Sequence, residues 1–264
     1  AMSTPAPNTT KSGLRTSISS GVKSDADSLS PENDDPTTQT LGFYRQLLMG
    51  RQLPSYVAVE GPIGVGKTTL ARRLAEVLEY PLLLEPATEN PFLDRYYREG
   101  RRHALPTQLF FLLHRARQMA NIGGSGLVGN TLIADFLMEK DDLFARLTLD
   151  ENEYSLYRQI HENLAIEAPV PDLVIYLQAP HDVLLQRIYQ RGINYERDIG
   201  ADYLSALIDQ YTEFFHYYSA APLLVVNAAE IDFASNNKHF DALLEQIVSM
   251  DGLRQYFNPN PTLL

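Results

Sequence analysis

The sequence predicts an α/β fold in which a doubly wound, five-stranded parallel sheet carries helices on both faces. Strand-like and helix-like segments alternate along the chain, the pattern of repeated βαβ units. Three strand candidates, VAVE, LVIYL and LLVV, are near-continuous apolar runs, which is typical of strands buried on both faces. A glycine-rich loop also joins the first strand to the first helix. The predicted strands are 56–60, 82–85, 131–135, 173–177 and 223–227.

The helix candidates alternate with these strands, at 69–80, 105–121, 140–149, 153–167, 181–191 and 201–219. Residues 41–49 form a further apolar stretch that we expect to pack beside the core. Ligands of open parallel sheets bind outside the carboxyl ends of the strands. Glu60 and Gly61, Glu85 and Asp135 end or follow the first three strands, so we expect them at one mouth of the sheet.

Residues 61–68, GPIGVGKT, fit the phosphate-binding P-loop pattern G-x-x-x-x-G-K-[ST]. Its glycines let the backbone wrap a phosphate chain, and the loop N–H groups and helix N-terminus present positive potential to it. We expect Lys67 to reach the β- and γ-phosphates of a nucleotide and Thr68 to ligate Mg²⁺. A glycine turn with an incidental lysine is the alternative. The predicted nucleotide-binding residues are Gly61, Gly64, Val65, Gly66, Lys67, Thr68 and Thr69.

Composition limits the possible partners. The 264 residues are 44% hydrophobic, enough for a sizeable core, and carry a net charge of −11. Such an acidic chain is a poor match for a nucleic-acid polymer or an anionic membrane, so we predict neither as a partner. The absence of cysteine excludes disulfides and zinc–thiolate sites and fits a reducing compartment. With no signal-peptide pattern and no apolar run near the roughly 20 residues of a membrane span, a cytoplasmic protein is expected.

Residues 1–40 differ in composition from the rest of the chain. They are rich in Ser, Thr, Pro, Asn and Asp and have almost no large apolar side chains. Such a segment cannot bury enough surface to offset the entropy of ordering, so we predict a disordered N-terminal tail. A single domain is predicted at 41–264.

Two carboxylates at predicted strand ends are candidates for chemistry. Glu85, which precedes Pro86, faces the phosphate mouth and could accept a proton from an attacking hydroxyl. A surface glutamate before a turn is the alternative. Asp135 could hold Mg²⁺ directly or through water, as acidic strand ends do in P-loop enzymes.

Two pairs of polar residues each share a helix face. Gln108 and Arg115 lie seven residues apart on a largely apolar helix, which suggests a pocket for a planar ligand. A helix rim with a solvated arginine is the alternative. Arg187 and Arg191 lie four residues apart just before Gly192 and could close over a transferring phosphoryl group. An ordinary basic helix end, favoured by the helix dipole, is the alternative.

These segments occur together and in this order in one family, the deoxynucleoside kinases. The chain resembles that family, especially its bacterial deoxyadenosine/deoxyguanosine branch. The resemblance runs from about residue 56 to about residue 215. It rests on GPIGVGKTT, the EP pair in LLLEPATENPFL, the YY and Q-x6-R segments, ADFLMEKDDLFA and RIYQRGINYE. It implies a P-loop kinase fold with a short lid, ATP as donor, Mg²⁺, a deoxynucleoside acceptor and a homodimer.

The resemblance also implies roles for the acceptor-side residues. Glu85 resembles the general base that takes the proton of the 5′-hydroxyl. Gln108 resembles the amide that binds the nucleobase. Arg115 and Asp141 resemble the pair beside the base in members that act on deoxyadenosine, deoxyguanosine or deoxycytidine.

Further roles concern the sugar and the lid. Tyr97 and Glu196 match the positions that bind the sugar 3′-hydroxyl. Arg187 and Arg191 match the lid arginines, which complete the predicted catalytic set with Glu85 and Lys67.

The chain departs from the family pattern at three positions. Phe136 replaces the usual arginine after the third strand, Ile193 replaces a second lid arginine, and Asn90 stands where an aromatic residue is common. Lys140 and Arg197 are the nearby cations that could compensate. We expect Lys140, at the start of the next helix, to supply the charge that Phe136 cannot.

The sequence therefore predicts ATP-dependent phosphorylation of the 5′-hydroxyl of a deoxynucleoside, with a purine favoured and deoxyadenosine slightly ahead of deoxyguanosine. Two alternatives stay open. One is a nucleoside monophosphate kinase of the thymidylate kinase type, whose acceptor would call for extra cations. The other is a regulatory protein that binds nucleotide but has lost phosphoryl transfer.

Overall fold

A computed structural model describes residues 36–124, 131–233 and 236–259. The predicted tail lies outside this part of the chain up to residue 35, whereas residues 36–40 belong to the first helix. The strands are β1 Tyr56–Glu60, β2 Leu82–Leu83, β3 Leu132–Ala134, β4 Leu173–Gln178, β5 Leu223–Asn227 and β6 Arg254–Phe257. The α-helices are α1 Pro36–Leu48, α2 Lys67–Leu78, α3 Leu93–Glu99, α4 Ala104–Gly124, α5 Lys140–Thr148, α6 Glu151–Leu164, α7 His181–Arg191, α8 Ala201–Tyr217 and α9 Asn237–Val248.

The described strands form one parallel sheet in the order β2-β3-β1-β4-β5-β6, flanked by helices. The α/β fold class is confirmed, but the predicted count of five strands is wrong. The sixth strand pairs with β5 from Leu223 opposite Arg254 to Val226 opposite Phe257. It is an edge strand of sequence RQYF with Tyr256 70% exposed, so it has none of the apolar continuity that marked the central strands.

The strand order places a crevice beside β1. From β1 the chain builds β2 and β3 on one side and then β4, β5 and β6 on the other. Strand order therefore reverses at β1, and ligands of open α/β sheets bind at such a point. The P-loop follows β1 directly, at this edge of the sheet.

Six helices lie where the sequence predicted them, with ends shifted by a few residues. They are α2, α4, α5, α6, α7 and α8. Helices α3 and α9 were missed. The signal for α9 was present, because Asn236 caps it by accepting hydrogen bonds from the backbone N–H groups of Lys238 and His239. Its buried side chains follow helical spacing, at Phe240, Leu243, Leu244 and Ile247.

The apolar stretch at 41–49 packs on the core through helix α1, as expected. Tyr44 is 3% exposed and meets the ring of Phe240 edge-on at 5.8 Å. Its hydroxyl donates a hydrogen bond to Asp241 Oδ1 at 2.7 Å. Among the described residues, no helix combines the length and the apolar character needed to cross a bilayer.

Candidate active site

The P-loop lies tightly against β4 and α7, which explains two of its glycines. Gly61 has φ 147°, and a Cβ there would lie 2.4 Å from the carbonyl oxygen of Leu177. Gly64 has φ 84°, and a Cβ would lie 2.8 Å from Ile188 Cγ1. Helix α2 then begins at Lys67 without a side-chain cap. The loop therefore leaves the first N–H groups of the helix available to an anion.

Lys67 folds back over the loop. Its Nζ donates hydrogen bonds to the carbonyl oxygens of Gly61 at 2.6 Å and Pro62 at 3.2 Å. Burial lowers the pKa of this ammonium group. The lysine is thus held at the centre of the loop, where a phosphate chain would be wrapped.

Asp135 links the phosphate loop to the predicted base. Its Oδ2 accepts a hydrogen bond from Thr68 Oγ1 at 2.6 Å, and its Oδ1 accepts one from the backbone N–H of Glu85 at 2.7 Å. Burial raises the pKa of Asp135. The adjacent Thr68 hydroxyl and Asp135 carboxylate fit Mg²⁺, which favours oxygen ligands and uses few protein groups beside phosphates and water. The described residues contain no cluster of three or more His, Cys, Asp or Glu that could form a separate metal cage.

Glu85 lies between two cations. Its Oε1 contacts the guanidinium of Arg115, and its Oε2 lies 3.2 Å from Lys140 Nζ. Burial alone would raise the pKa of Glu85, but Arg115 and Lys140 outweigh it and lower the pKa to about 2. The carboxylate is therefore ionised at neutral pH and able to accept a proton.

Gln108 and Arg115 project from the same face of α4, as predicted. Arg115 is 3% exposed and pairs with Asp141 as well as Glu85. Its guanidinium also lies over the ring of Phe111, 5.3 Å from the centroid. Gln108 is 4% exposed and donates a hydrogen bond to Thr148 Oγ1 at 3.2 Å. These groups form a polar end to an otherwise apolar pocket, which suits the edge of a planar base.

One cavity of about 610 Å³ joins the phosphate loop to this polar end. Every predicted site residue lines it except Gly61 and Asp141. The carbonyl oxygen of Gly61 accepts a hydrogen bond from Lys67 Nζ, and Asp141 forms an ion pair with Arg115, so both residues contact lining residues. The acceptor end is rich in aromatic side chains, namely Tyr96, Tyr97, Phe111, Phe144, Tyr203 and Tyr211.

The two lid arginines have different surroundings. Arg187 donates hydrogen bonds to the carbonyl oxygens of four residues, Val65, Ala228, Ala229 and Ile231, at 2.8–3.3 Å. It therefore ties α7 to the P-loop and to the segment after β5, while it also lines the cavity. Arg191 is 44% exposed at its side chain and pairs with Glu196, its Nε lying 3.0 Å from Oε2.

The sugar-binding candidates lie beside the lid. Tyr97 stacks with Tyr195, with ring centroids 6.2 Å apart and planes at 7°. Glu196 is 8% exposed in the turn 194–198 that follows α7. The Arg191–Glu196 pair therefore couples the end of α7 to the acceptor side of the cavity.

At the three departures from the family pattern, the side chains pack in the fold or bind nearby backbone groups. Phe136 is fully buried in an apolar cluster with α4 and α6. Asn90 accepts a hydrogen bond from the Phe92 backbone N–H at 3.0 Å and donates one to the Thr107 carbonyl oxygen at 3.3 Å. Ile193 is partly buried in the turn after α7.

Sequence reasoning placed Glu60, the last residue of β1, at the mouth of the sheet but assigned it no role. It has no exposed surface and accepts hydrogen bonds from Gly61 N and Tyr211 Oη, both at 2.9 Å. The available signal was a carboxylate ending an otherwise apolar strand directly before a P-loop, since buried charges need partners. Tyr211, on a helix distant in sequence, gave no signal of its own.

Comparisons with known proteins identify the family of the chain. A profile described as deoxynucleoside kinase matches residues 57–250. The deoxyguanosine kinase of Bacillus subtilis (strain 168) is 32% identical over 197 residues, covering 73% of this chain and 95% of the relative. The deoxyadenosine kinase of Dictyostelium discoideum is 30% identical over 182 residues, covering 67% of this chain and 73% of the relative.

A solved structure shares the fold. The deoxyadenosine kinase from M. mycoides with bound dATP superposes with a TM-score of 0.64 at 26% identity. The match covers 74% of this chain and 100% of that chain. The profile match spans most of the chain, and the site geometry has a phosphate loop, a carboxylate and a base-sized pocket in one cavity. The chain therefore belongs to the deoxynucleoside kinase family and is a phosphotransferase.

Proposed function

We propose that the protein transfers the γ-phosphoryl group of ATP, with Mg²⁺, to the 5′-hydroxyl of a purine deoxynucleoside. The observation that carries this proposal is the position of Glu85 between the two halves of one cavity. Its backbone N–H binds Asp135, which holds Thr68 of the P-loop, and its carboxylate contacts Arg115 of the pocket. The donor and acceptor halves thus meet at an ionised carboxylate.

The chain's own residues account for each part of the reaction. The P-loop amides and Lys67 hold the β- and γ-phosphates, and Glu85 takes the proton from the 5′-hydroxyl as that oxygen attacks phosphorus in line. Thr68 and Asp135 are the residues that would hold Mg²⁺, which would supply positive charge to offset that of the phosphates. Arg191, which lines the cavity, would have to exchange its ion pair with Glu196 for contact with the transferring group.

The acceptor pocket supports a nucleobase. The Gln108 amide carries both a donor and an acceptor, and it lies near the Arg115–Asp141 pair on the polar edge. The relatives named for deoxyguanosine and deoxyadenosine support a purine as the preferred base. We retain deoxyadenosine slightly ahead of deoxyguanosine, in line with the M. mycoides neighbour.

The charge of the acceptor end disfavours a nucleoside monophosphate acceptor. Such a substrate brings a phosphate dianion that needs free cations. In the described part of the chain, Arg115 and Lys140 already contact carboxylates, and Arg191 pairs with Glu196. A binding protein without transfer activity is set aside by membership of a family of phosphotransferases.

A direct assay tests the proposal. The protein is incubated with γ-labelled ATP, Mg²⁺ and each of the four deoxynucleosides, and the products are separated by chromatography. Labelled monophosphate should form, and fastest with a purine deoxynucleoside. Label transfer only to thymidylate or another monophosphate would replace the proposal with the monophosphate kinase, and no transfer at all would overturn it.

We also propose that the protein acts as a cytoplasmic homodimer. Two packed helices, α4 and α6, each expose a large apolar side chain, Leu113 at 39% and Leu156 at 47%. Light scattering on the purified protein should give twice the chain mass. A monomer at micromolar concentration would contradict the dimer, and recovery of the protein in a membrane fraction would contradict the location.

A further inference from the structure

Lys140 is buried between two carboxylates. Its side chain is 3% exposed, and its Nζ lies 3.2 Å from Glu85 Oε2 and 3.5 Å from Glu60 Oε2. The rings of Phe136 and Phe144 flank the ammonium group at 5.9 and 6.0 Å. Lysine is almost never buried to this extent unless it is paired, so these contacts define its position.

Glu60 fixes Lys140 in place. Its Oε1 accepts hydrogen bonds from Gly61 N and Tyr211 Oη, and its Oε2 accepts one from Leu137 N at 2.8 Å. The carboxylate is thus attached to the P-loop, to α8 and to the segment that leads into α5. Glu60 has no exposed surface, and its three hydrogen-bond donors are neutral. A buried carboxylate of this kind requires a cation, and Lys140 is the cation that contacts it.

The other cations that line the cavity already have partners. In the described part of the chain, Lys67 caps the P-loop, Arg187 binds backbone carbonyls, Arg191 pairs with Glu196 and Arg115 pairs with Asp141. Among these lining cations of the described residues, Lys140 is the one that contacts both Glu60 and Glu85. Arg197, the other compensating candidate, is exposed on the turn after α7.

The two oxygens of Glu85 have separate partners, Arg115 on Oε1 and Lys140 on Oε2. We propose that Lys140, anchored by Glu60, is a positioning residue that holds Glu85 Oε2, and that Oε1 becomes free for the 5′-hydroxyl proton when the nucleobase engages Arg115. The proposal rests on the proposed function. It explains how this chain works with Phe136 in place of an arginine, because the buried Glu60–Lys140 pair supplies the fixed cation from the first residue of α5.

Charged and titratable groups reach this pair from several elements. They are Glu60 from β1, Lys67 from α2, Tyr97 from α3, Arg115 from α4, Asp135 after β3 and Tyr211 from α8. Removal of Lys140 leaves the negative charges of Glu60 and Glu85 adjacent with one cation fewer. A loss of stability is therefore expected beside any loss of activity, and the experiment must separate the two.

Four variants separate them: Lys140→Met, Lys140→Arg, the double variant Glu60→Gln/Lys140→Met, and the control Lys238→Met, which alters an exposed lysine on α9. Steady-state kinetics with ATP and the best deoxynucleoside give kcat and KM, and thermal melts give Tm. Lys140→Met should lower kcat at least about tenfold with KM for the deoxynucleoside changed less than about threefold. Its Tm should fall by on the order of 10 °C because Glu60 is left unpaired.

The double variant is decisive. Replacing both charges should restore much of the lost Tm but not kcat, whereas Lys140→Arg should keep kcat within about threefold of wild type. Recovery of kcat in the double variant, or Lys140→Met with kcat within about twofold of wild type, would overturn the proposal. If Lys140→Met does not fold, the double variant gives the same decision. Wild type that phosphorylates no deoxynucleoside would refute the proposed function instead, so the two failures are distinguishable.

Discussion

Glu85→Gln should change how the stability of the protein depends on pH. In the wild type, Arg115 and Lys140 hold the pKa of Glu85 at about 2, against an ordinary value of 4.5. A carboxylate with a depressed pKa stabilises the fold above its unfolded pKa, and the stabilisation is lost as the pH falls from 4.5 towards 2. The variant has no group to titrate at this position, so its stability lacks this component.

The size of the effect follows from the shift. The Glu85 side chain is 18% exposed, so solvent screens its ion pairs only in part. A difference of roughly 2.5 units at 1.36 kcal/mol each corresponds to about 3 kcal/mol of unfolding free energy. About 1 kcal/mol of this should be lost by pH 3.5, and the rest below it.

Urea unfolding of wild type and Glu85→Gln measures this loss. Midpoints are taken at pH 6.5, 5.0, 4.0 and 3.5 in EDTA without nucleotide, so that no bound ligand contributes. Other carboxylates, including Asp135 with its raised pKa, titrate in both proteins and cancel in the difference. The wild-type advantage should shrink by about 1 kcal/mol from pH 6.5 to 3.5. A difference constant within about 0.3 kcal/mol would refute the assigned ion pairs.

Three further predictions concern phosphoryl transfer, metal binding and stability. Lys67→Met should lower kcat at least about 100-fold while circular dichroism stays unchanged, and activity within about tenfold of wild type would contradict its phosphate role. Asp135→Asn should raise the Mg²⁺ concentration for half-maximal activity about tenfold, since one charged ligand is lost; an unchanged Mg²⁺ titration would remove Asp135 from the metal site. Arg187→Met should lower Tm by several degrees because four carbonyl oxygens lose their donor, and a Tm equal to wild type would show that those bonds contribute nothing.

The central strands could be predicted because burial on both faces leaves a visible apolar run. β1 and β5 have the bounds that the sequence predicted, and β4 is one residue longer. β6 could not be predicted in this way, because in this edge strand Arg254 and the exposed Tyr256 interrupt any apolar run. Helix α3 has seven residues, too few for a clear helical period.

The site was predictable where spacing along one element carried the chemistry. Gln108 and Arg115 share a face of α4 because they are seven residues apart, and Lys67 follows from the P-loop pattern. The contacts between distant segments could not be predicted from spacing. Glu60 meets Tyr211 across 151 positions, and the bonds that hold Arg187 depend on how α7 packs against the segment after β5.

The most direct test of the account is a single-turnover experiment with wild type and Glu85→Gln. ATP, Mg²⁺ and a purine deoxynucleoside are mixed with excess enzyme, and the product is identified by phosphorus NMR. The wild type should yield a 5′-monophosphate and ADP, while Glu85→Gln should bind the nucleoside but transfer at least about 100-fold more slowly. A wild type that releases only ADP and inorganic phosphate, or a variant that transfers at the wild-type rate, would contradict the account.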